Sequence, residues 1–188
     1  MLERTTMTAN DDGPAPDCTI SKDDCTPPIS SSMDQADLQR IWLGTQRSAW
    51  RMLAVVPVDE WISTYQVASV ITTLGIHHGE SISVADLSDI RLNRVSAFLE
   101  AAGELVRHGR RVVFATRSIA ENLAAIPLAR AADGVILCVS MGSTSIKAIE
   151  DAIEQIGKER FLGSVLIHDA KPPSGRAVSV PRRLQAPS

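Results

Sequence analysis

Five short apolar runs, each followed by a stretch with helical periodicity or by a turn, constrain the fold of this chain more than any other feature. The runs are MLAVVP (52–57), SISVADL (81–87), RVVFA (111–115), GVILCVS (134–140) and FLGSVLIH (161–168). Strands that alternate with helices form parallel sheets covered on both faces, because each parallel connection has to cross the sheet. The sequence therefore predicts a doubly wound α/β domain of three layers, with a mainly parallel sheet of about five or more strands.

The predicted helices lie before and between these runs, and their apolar residues recur every three or four positions. They cover residues 34–47, a stretch that starts at Ser63, residues 91–107, residues 127–132, and a last stretch capped by Ser143 and Thr144 and closed by Gly157. The periodicity assigns Leu92 and Ile146 to the buried faces of the third and the last of these helices.

The two ends of the chain differ in composition from the predicted α/β domain, which covers residues 34–170. Residues 1–33 are rich in Asp, Ser, Thr and Pro and lack periodicity, which predicts a disordered acidic tail. Residues 171–188 contain basic residues and no acidic ones, which predicts a flexible basic tail. A solvated terminus and a contact with an acidic partner or an anionic membrane surface are both open for this tail.

Charge and hydropathy exclude several classes of protein. The formal net charge of −3 argues against a nucleic-acid binder, which normally has a basic face. No segment reaches the roughly 18 to 20 apolar residues of a membrane span, so we expect a cytoplasmic protein without a transmembrane segment. Cys18, Cys25 and Cys138 are odd in number and predict no disulfide framework, and no role is assigned to Cys18 and Cys25.

The turn after the first strand is the first candidate site, since ligands of such sheets bind at the carboxyl ends of the strands. A working P-loop, G-x-x-x-x-G-K-[ST], uses glycines for backbone approach to phosphate, a lysine for charge and a hydroxyl for magnesium. Aligned with residues 56–63, this pattern places Val56 and Trp61 at the glycines, Ile62 at the lysine and Ser63 at the hydroxyl. The sequence thus predicts a P-loop-shaped segment with only the hydroxyl retained, where Trp61 and Ile62 form an apolar surface.

At this segment the chain resembles the MinD/ParA-like ATPases and, among them, the bacterial tyrosine kinases (BY-kinases) of polysaccharide export, whose loop commonly reads P-G-E-G-K-S-T. VDEWIST (58–64) keeps Glu60, Ser63 and Thr64 at matching places. PLARAADGVILCV (127–139) is similar to the family's A-x-x-A-D-G-V strand, and GSVLIHDA (163–170) to its closing V-x-G-x-V-L-N strand. The resemblance covers residues 34–170 and implies the P-loop NTPase fold. The degenerate phosphate loop that it predicts consists of Val56, Asp59, Glu60, Trp61, Ile62, Ser63 and Thr64.

Each position that carries chemistry in that family departs from its pattern here. Ile62 replaces the lysine, Ala115 replaces the acidic residue that orients magnesium, and His168 replaces the asparagine that contacts the base. Loss of the cation and the carboxylate together would remove the electrostatic stabilisation on which phosphoryl transfer depends. The resemblance therefore implies a pseudo-ATPase with no catalytic residue, cofactor or metal. Asp86 is open to two interpretations, a metal-assisting acid or a turn residue.

The helix predicted at residues 34–47 corresponds to a BY-kinase helix whose E-x-x-R-x-x-R motif packs subunits into a ring. Asp37 and Arg40 match its first two positions, and Leu43 breaks the third. We therefore expect no ring of that type, but a homodimer or a partner contact through this helix, with Asp37, Arg40, Trp42 and Arg47 as candidate residues. Packing of Trp42 on the sheet is the alternative for that side chain.

The resemblance implies a regulatory or scaffolding protein of bacterial exopolysaccharide synthesis or export, held at the inner face of the membrane through a membrane-associated partner. The alternative is a nucleotide-binding ATPase or kinase-like enzyme with a non-standard phosphate loop, for which Arg117 and Lys147 are candidate cations. An unrelated α/β enzyme is not favoured, because no G-x-S-x-G elbow occurs and His77–His78 lies in a polar connection. The single tyrosine, Tyr65, excludes autophosphorylation of a tail.

Overall fold

The structure is a computed structural model that describes residues 35–168. The predicted tails and the cysteines Cys18 and Cys25 lie outside the described residues. Two single-turn 3-10 helices, Leu92–Arg94 and Lys158–Arg160, precede α3 and β5. The other elements, in chain order, are α1 (Gln35–Thr45), β1 (Met52–Pro57), α2 (Thr64–His77), β2 (Ile82–Asp86), α3 (Val95–Arg107), β3 (Arg111–Ala115), α4 (Ala125–Ala131), β4 (Gly134–Ser140), α5 (Ile146–Ile156) and β5 (Phe161–Ile167).

The five strands form one sheet in the order β2-β3-β1-β4-β5, and every neighbouring pair is parallel. Strand β1 lies at the centre, where Val55 is in register with Ala115 of β3 and with Ile136 of β4. This topology confirms the predicted doubly wound α/β fold, and all five strands overlap the apolar runs that predicted them.

The direction of the connections changes at β1. From β1 the chain moves two places to one side to reach β2, and all later connections move towards β5. Because parallel crossovers are right-handed, α2 lies on one face of the sheet and α3, α4 and α5 lie on the other. The two buried clusters agree with this arrangement, since Ile71 of α2 belongs to one, and Phe98 of α3, Leu128 of α4 and Ile156 of α5 belong to the other. The turn after β1 therefore lies at the switch point, where such sheets bind ligands.

Burial differs sharply between the inner and outer strands. All seven residues of β4 are buried, as its uninterrupted apolar run predicts for a strand covered on both faces. None of the seven residues of β5 is buried, although that run is also apolar. Strand β5 is thus an apolar strand at the edge of the sheet.

The first residues of α3, α4 and α5 differ from the prediction, and α4 begins at Ala125, two residues before Pro127. Helix α5 begins after Ser145, whose hydroxyl oxygen accepts a hydrogen bond from Ala148 N at 3.1 Å, and not at Ser143–Thr144. Thr144 does not cap α5 because its hydroxyl group is engaged in the turn after β4. Ile146, the first residue of α5, is exposed, and the prediction of an inward Ile146 is wrong.

The inward prediction for Leu92 is also wrong, since this side chain is exposed. Leu92 lies in a 3-10 turn with about three residues per turn, so the α-helical period of α3 does not extend to it. Gly157 ends α5 as predicted, with a positive φ of 110° that favours glycine.

Helix α1 packs on α2 through Trp42. The Trp42 ring stacks on His78, with ring centroids 5.4 Å apart and an interplanar angle of 2°, and the side chain is buried. Gly75 of α2 permits this packing, because a Cβ there would collide with Ile82 and lie 3.0 Å from the Trp42 ring. Trp42 is therefore part of the core, so it is unsuited to the partner contact for which it was a candidate. None of the helices between residues 35 and 168 has the length and apolarity needed to cross a membrane.

Candidate functional site

The predicted phosphate-loop segment runs from the end of β1 into α2, as the sequence indicates. Val56 pairs with Leu137 and is fully buried, so it belongs to the sheet and not to the turn. Ser63 is the N-cap residue of α2, and its side chain forms no capping hydrogen bond. The turn between them has the placement of a phosphate loop, between a central strand and a helix N-terminus.

Ile62, at the position of the P-loop lysine, points into the protein. It is 7% exposed and belongs to the buried cluster that contains Val55, Ala68 and Ala115. Burying an isoleucine side chain contributes roughly 1.5 to 3 kcal/mol, so this turn is held down by apolar packing. The position that supplies a mobile cation in a working loop supplies a core residue here.

Trp61 differs from Ile62, because its side chain is 36% exposed at the surface of the turn. Tyr65, one helical turn further along, is exposed as well. The sequence predicts one apolar surface formed by Trp61 and Ile62. The structure divides this pair into one residue that packs in the core and one that is available for contact.

Two hydrogen bonds join the turn to the end of β4. The Asp59 carboxylate accepts a hydrogen bond from the Thr144 hydroxyl, and the Val58 N–H donates to the carbonyl of Cys138 at 3.0 Å. The Thr144 oxygen in turn accepts from the Ser140 N–H at 3.0 Å. These bonds place a carboxylate and a hydroxyl between the two turns.

A third hydrogen bond joins the turn to the end of β3. The buried Thr64 hydroxyl donates to the backbone carbonyl of Thr116 at 2.6 Å. Thr64 matches a hydroxyl of the BY-kinase loop, but here its proton is used inside the fold. Ser63, the hydroxyl that the P-loop pattern retains, is exposed.

The ends of β2 and β3 hold the second position that the sequence resemblance singled out, Ala115. Ala115, the last residue of β3, is fully buried and carries no carboxylate. Asp86, the last residue of β2, is in register with it. The Asp86 carboxylate accepts hydrogen bonds from the N–H and the hydroxyl of Ser88, at 3.0 and 2.6 Å. This geometry favours the turn interpretation of Asp86.

A cleft of about 580 Å³ lies at the carboxyl ends of the strands. The Arg117 guanidinium contacts Asp89 at 2.9 Å and Glu121 at 3.4 Å. Glu60 of the turn after β1 adds another carboxylate to the lining, and Asn122 donates to the carbonyl of Ile90 at 2.9 Å. In the described part of the chain, no group of three or more His, Cys, Asp or Glu residues is placed to hold a metal ion. The side chains that line the cleft are Glu60, Ser88, Asp89, Arg117, Glu121 and Asn122.

The charges in this cleft oppose a polyphosphate. The charge of Asp89, and then that of Glu121, raises the pKa of Arg117 above its ordinary value, so the guanidinium is already matched by two carboxylates. With Glu60 the lining has three acidic residues for one basic residue. A triphosphate would have to compete with these carboxylates for Arg117 and would be repelled by them. Lys147, the other candidate cation, is exposed in α5 and does not line the cleft.

The predicted interaction residues of α1 are distributed differently. Asp37 and Arg40 are exposed and form an ion pair with each other at 2.9 Å, and Arg47 is exposed just after the helix. Arg40 also lines a smaller groove of about 180 Å³ between α1 and β5. Trp42 is separated from these three residues, because its side chain is buried and stacks on His78.

The exposed apolar side chains lie at positions that the sequence pattern did not indicate. Most of the large ones in the described residues are found at the carboxyl end of a strand, in the turn after it, or at the start of the next helix. A signal existed, because turn positions at these places carry large apolar residues where polar residues are usual. Contiguous exposed apolar surface marks contact sites on soluble proteins, whereas single exposed apolar residues are ordinary. The residues at this end of the sheet are Trp61, Tyr65, Leu92, Leu123, Met141, Ile146 and Leu166.

Solved structures with a similar fold include two tyrosine kinase domains. The kinase domain of the Escherichia coli tyrosine kinase Etk is similar with a TM-score of 0.54 and 10% identity, over 74% of this chain and 76% of that chain. The BceF tyrosine kinase domain is similar with a TM-score of 0.51 and 11% identity, over 72% and 74%. This chain has the fold of a bacterial tyrosine kinase domain. The chimerical protein CapA2B2 is similar with a TM-score of 0.56 and 11% identity, over 68% and 80%.

The tyrosine-kinase-like fold confirms the architecture that the sequence resemblance implied. Neither a protein-family model nor a curated protein matches the sequence. At 10 to 11% identity the comparisons establish the fold alone. The predicted loss of phosphate binding depends instead on the residues described above, with Ile62 in the core and Arg117 between two carboxylates.

Proposed function

We propose that this domain is a non-catalytic counterpart of the bacterial tyrosine kinases that acts as a regulatory or scaffolding partner of another protein. The proposal depends chiefly on Ile62. At the position of the phosphate-binding lysine stands a side chain that is packed in the core with Val55 and Ala115. A loop that presents no cation and is anchored by its apolar residue cannot stabilise the charge that develops in phosphoryl transfer.

The electrostatics of the strand ends support the same proposal. Three carboxylates line the cleft, its single guanidinium is ion-paired twice, and Ala115 provides no ligand for magnesium. Nucleotide binding in this fold depends on positive charge at the turn after β1. Among the described residues, those that line the cleft include more acidic than basic side chains, which disfavours a phosphate beside this turn.

The surface that remains suits a protein partner. Trp61 and Leu123 are exposed at the carboxyl ends of the strands, and aromatic residues surrounded by polar ones are typical anchors of protein interfaces. The setting that we propose, bacterial exopolysaccharide synthesis or export with a membrane-associated partner, follows from the resemblance to the kinases of polysaccharide export.

Nucleotide binding is the property to test first. A ligand that binds only the folded state at a hundred times its Kd stabilises it by about 2.7 kcal/mol, which raises the melting temperature by several degrees. We expect no shift with millimolar ATP and magnesium, measured by calorimetry on the purified full-length protein. A saturable increase in melting temperature would overturn the proposal.

The contact surface is tested separately. Membrane vesicles from the source cells are sedimented with the full-length protein, with Trp61→Asp, and with Ile76→Asp as the matched control. Both positions hold exposed apolar residues, but Ile76 lies at the far end of α2. We expect Trp61→Asp to reduce co-sedimentation and Ile76→Asp to leave it unchanged. Equal co-sedimentation of all three proteins would exclude the strand-end surface as the contact.

A second candidate function, a nucleotide-binding enzyme with a non-standard loop, is favoured by one observation, the presence of Arg117 in the cleft. That function requires ATP binding by the native protein, and loss of binding in Arg117→Ala. Arg130→Ala is the matched control, because Arg130 is exposed and donates to the carbonyl of Gln155 away from the cleft. Binding that is equal in both variants would exclude Arg117 as the phosphate ligand.

A further inference from the structure

The edge strand β5 has a composition that does not fit an open edge. Its seven residues, FLGSVLI, include no charged side chain and no proline, yet none of them is buried. Within residues 35–168 it pairs with β4 alone, so its outer edge presents unpaired N–H and C=O groups. Native proteins protect such edges with charges, prolines or short strands, because an open apolar edge recruits other strands.

The opposite edge of the sheet is protected in this way. Strand β2 is shorter, carries Asp86 at its end, and has Ile82 and Ser83 buried. In β5 the only irregularity is a register shift near its start, where Val135 pairs with Phe161 and Ile136 pairs with Gly163. The remainder, Gly163–Ile167, is a regular strand that is open to pairing.

A groove of about 180 Å³ runs beside this edge, between α1 and β5. Ile41 and Thr45 of α1 line one side, and Leu162 and Gly163 of β5 line the other. An ideal Cβ on Gly163 would have no atom within 4 Å, so the space above this glycine is open. The groove can therefore accept a side chain from a strand laid along β5.

We propose that β5 pairs antiparallel with β5 of a second copy of this chain, about a two-fold axis at Val165, so that the two sheets become one. This register places Gly163 opposite Ile167 of the second copy, and Ser164 opposite Leu166. Cβ atoms of directly opposed residues lie about 4.5 to 5.5 Å apart, so the isoleucine covers the glycine and enters the groove. Each small residue thus meets a large one, and the paired segment 163–167 contains no charged residue.

The size of this edge suits a dimer. Seven residues extend about 23 Å at about 3.3 Å each. Helix α1 contacts β5, and these two layers of about 10 Å each make the edge roughly 20 Å deep, so the contact covers roughly 460 Å² per copy. Standard interfaces bury about 800 Å² per partner, so we expect a dimer of low affinity. The edge includes α1, which contacts β5, and this agrees with the predicted dimer contact through that helix. The inference is independent of the proposed function.

The dimer is tested by sedimentation velocity on the full-length protein between about 1 and about 100 µM, with dissociation expected in this range. Leu166→Lys should raise the dissociation constant at least tenfold, because each copy then brings a charge to the paired strands. Leu123→Lys is the matched control, since Leu123 is 66% exposed and Leu166 57% exposed. We expect the control to dissociate like the native protein.

The register is tested by cross-linking. In a chain that carries Cys18→Ser and Cys25→Ser, Val165→Cys should form a covalent dimer with a short bismaleimide, since the two-fold axis brings its two copies together. Leu123→Cys in the same background should form no covalent dimer, and Cys138 does not interfere because it is buried.

A native protein that stays monomeric at the highest concentration would overturn the proposal. In that case hydrogen exchange of the β5 amides distinguishes an edge covered by other residues of the chain from an open one, and both outcomes contradict the dimer. Two further results would exclude β5 as the interface. One is a dimer with the same dissociation constant in Leu166→Lys as in the native protein, and the other is cross-linking of the Leu123→Cys chain but not of the Val165→Cys chain.

Discussion

A lysine in place of Ile62 tests the packing of the turn after β1 most directly. Ile62→Lys introduces the residue type that a working P-loop carries, at a position that is 7% exposed and belongs to the buried cluster of Ala68 and Ala115. A lysine at this site has to remove its ammonium group from water or open the turn to reach it. We therefore expect the variant to destabilise the fold without restoring activity.

The magnitude follows from burial. Burial of the isoleucine side chain contributes about 2 kcal/mol, of which the lysine stem recovers part. Displacing the turn or desolvating the ammonium adds about 1 to 2 kcal/mol, so we expect a net loss of about 3 kcal/mol. With a urea m-value of about 2 kcal/mol per M, the unfolding midpoint should fall by about 1.5 M.

The assay is urea unfolding followed by tryptophan fluorescence, with Ser63→Lys as the matched control. Ser63 is the next residue, is exposed, and makes no capping hydrogen bond, so the same charge there should shift the midpoint little. ATP hydrolysis is measured on both variants and should be absent, because Trp61 occupies the place of the second glycine and Ala115 provides no carboxylate. Equal midpoints for the two variants would refute the burial argument, and turnover by Ile62→Lys would refute the pseudo-ATPase argument.

Three further predictions follow from the packing. Gly75→Ala should lower the unfolding free energy by about 1 to 3 kcal/mol, because the added Cβ overpacks the space beside Ile82 and Trp42. Gly103→Ala should raise the unfolding free energy by about 0.5 to 1 kcal/mol, because Gly103 lies inside α3 and a Cβ there has no atom within 4 Å. Equal denaturation midpoints for the two variants would contradict this prediction. Thr64→Val should lower the unfolding free energy by about 1 to 3 kcal/mol, measured by thermal unfolding, because the buried carbonyl of Thr116 loses its hydrogen-bond donor. An unchanged unfolding free energy would show that this hydrogen bond does not stabilise the fold. Burial raises the pKa of Cys138 to about 12, from an ordinary value of 9.0. The contribution of the Cys138 thiol to the unfolding free energy is therefore fully present below about pH 9. It amounts to up to about 4 kcal/mol and is lost as the pH rises towards 12, because the thiol ionises first in the unfolded chain. Cys138→Ala should lose stability less steeply over that range, and parallel pH profiles would contradict the shift.

Much of the fold was predictable because its signals are local. The strand at residues 134–140 is uninterruptedly apolar, and such a run can only be satisfied in the middle of a sheet covered on both faces. The helices followed from their periodicity, but their ends did not, as at Leu92 and Ile146 and at Thr45, where α1 ends before the predicted residue 47. Propensity does not specify where a 3-10 turn replaces an α-helical one.

The candidate site was predictable in its residue types but not in its arrangement. That Ile62 replaces a lysine is visible in the chain, whereas its burial depends on how the turn is held. Asp59 and Thr144 are 85 residues apart, and Arg117 and Asp89 are 28 apart, so no local pattern relates them. Their contacts exist because the carboxyl ends of parallel strands meet at one edge of the sheet.

The residue types of the turn after β1 are therefore a property of the sequence by itself, as are the five strands and the helices between them. The tertiary structure alone decided the strand order, which places β1 at the switch point and leaves apolar β5 at an edge. It also decided that Ile62 packs in the core while Trp61 remains at the surface. The physical reason is the same in each case. Burial depends on which elements pack together, and the local sequence does not specify contacts between residues that are far apart in the chain.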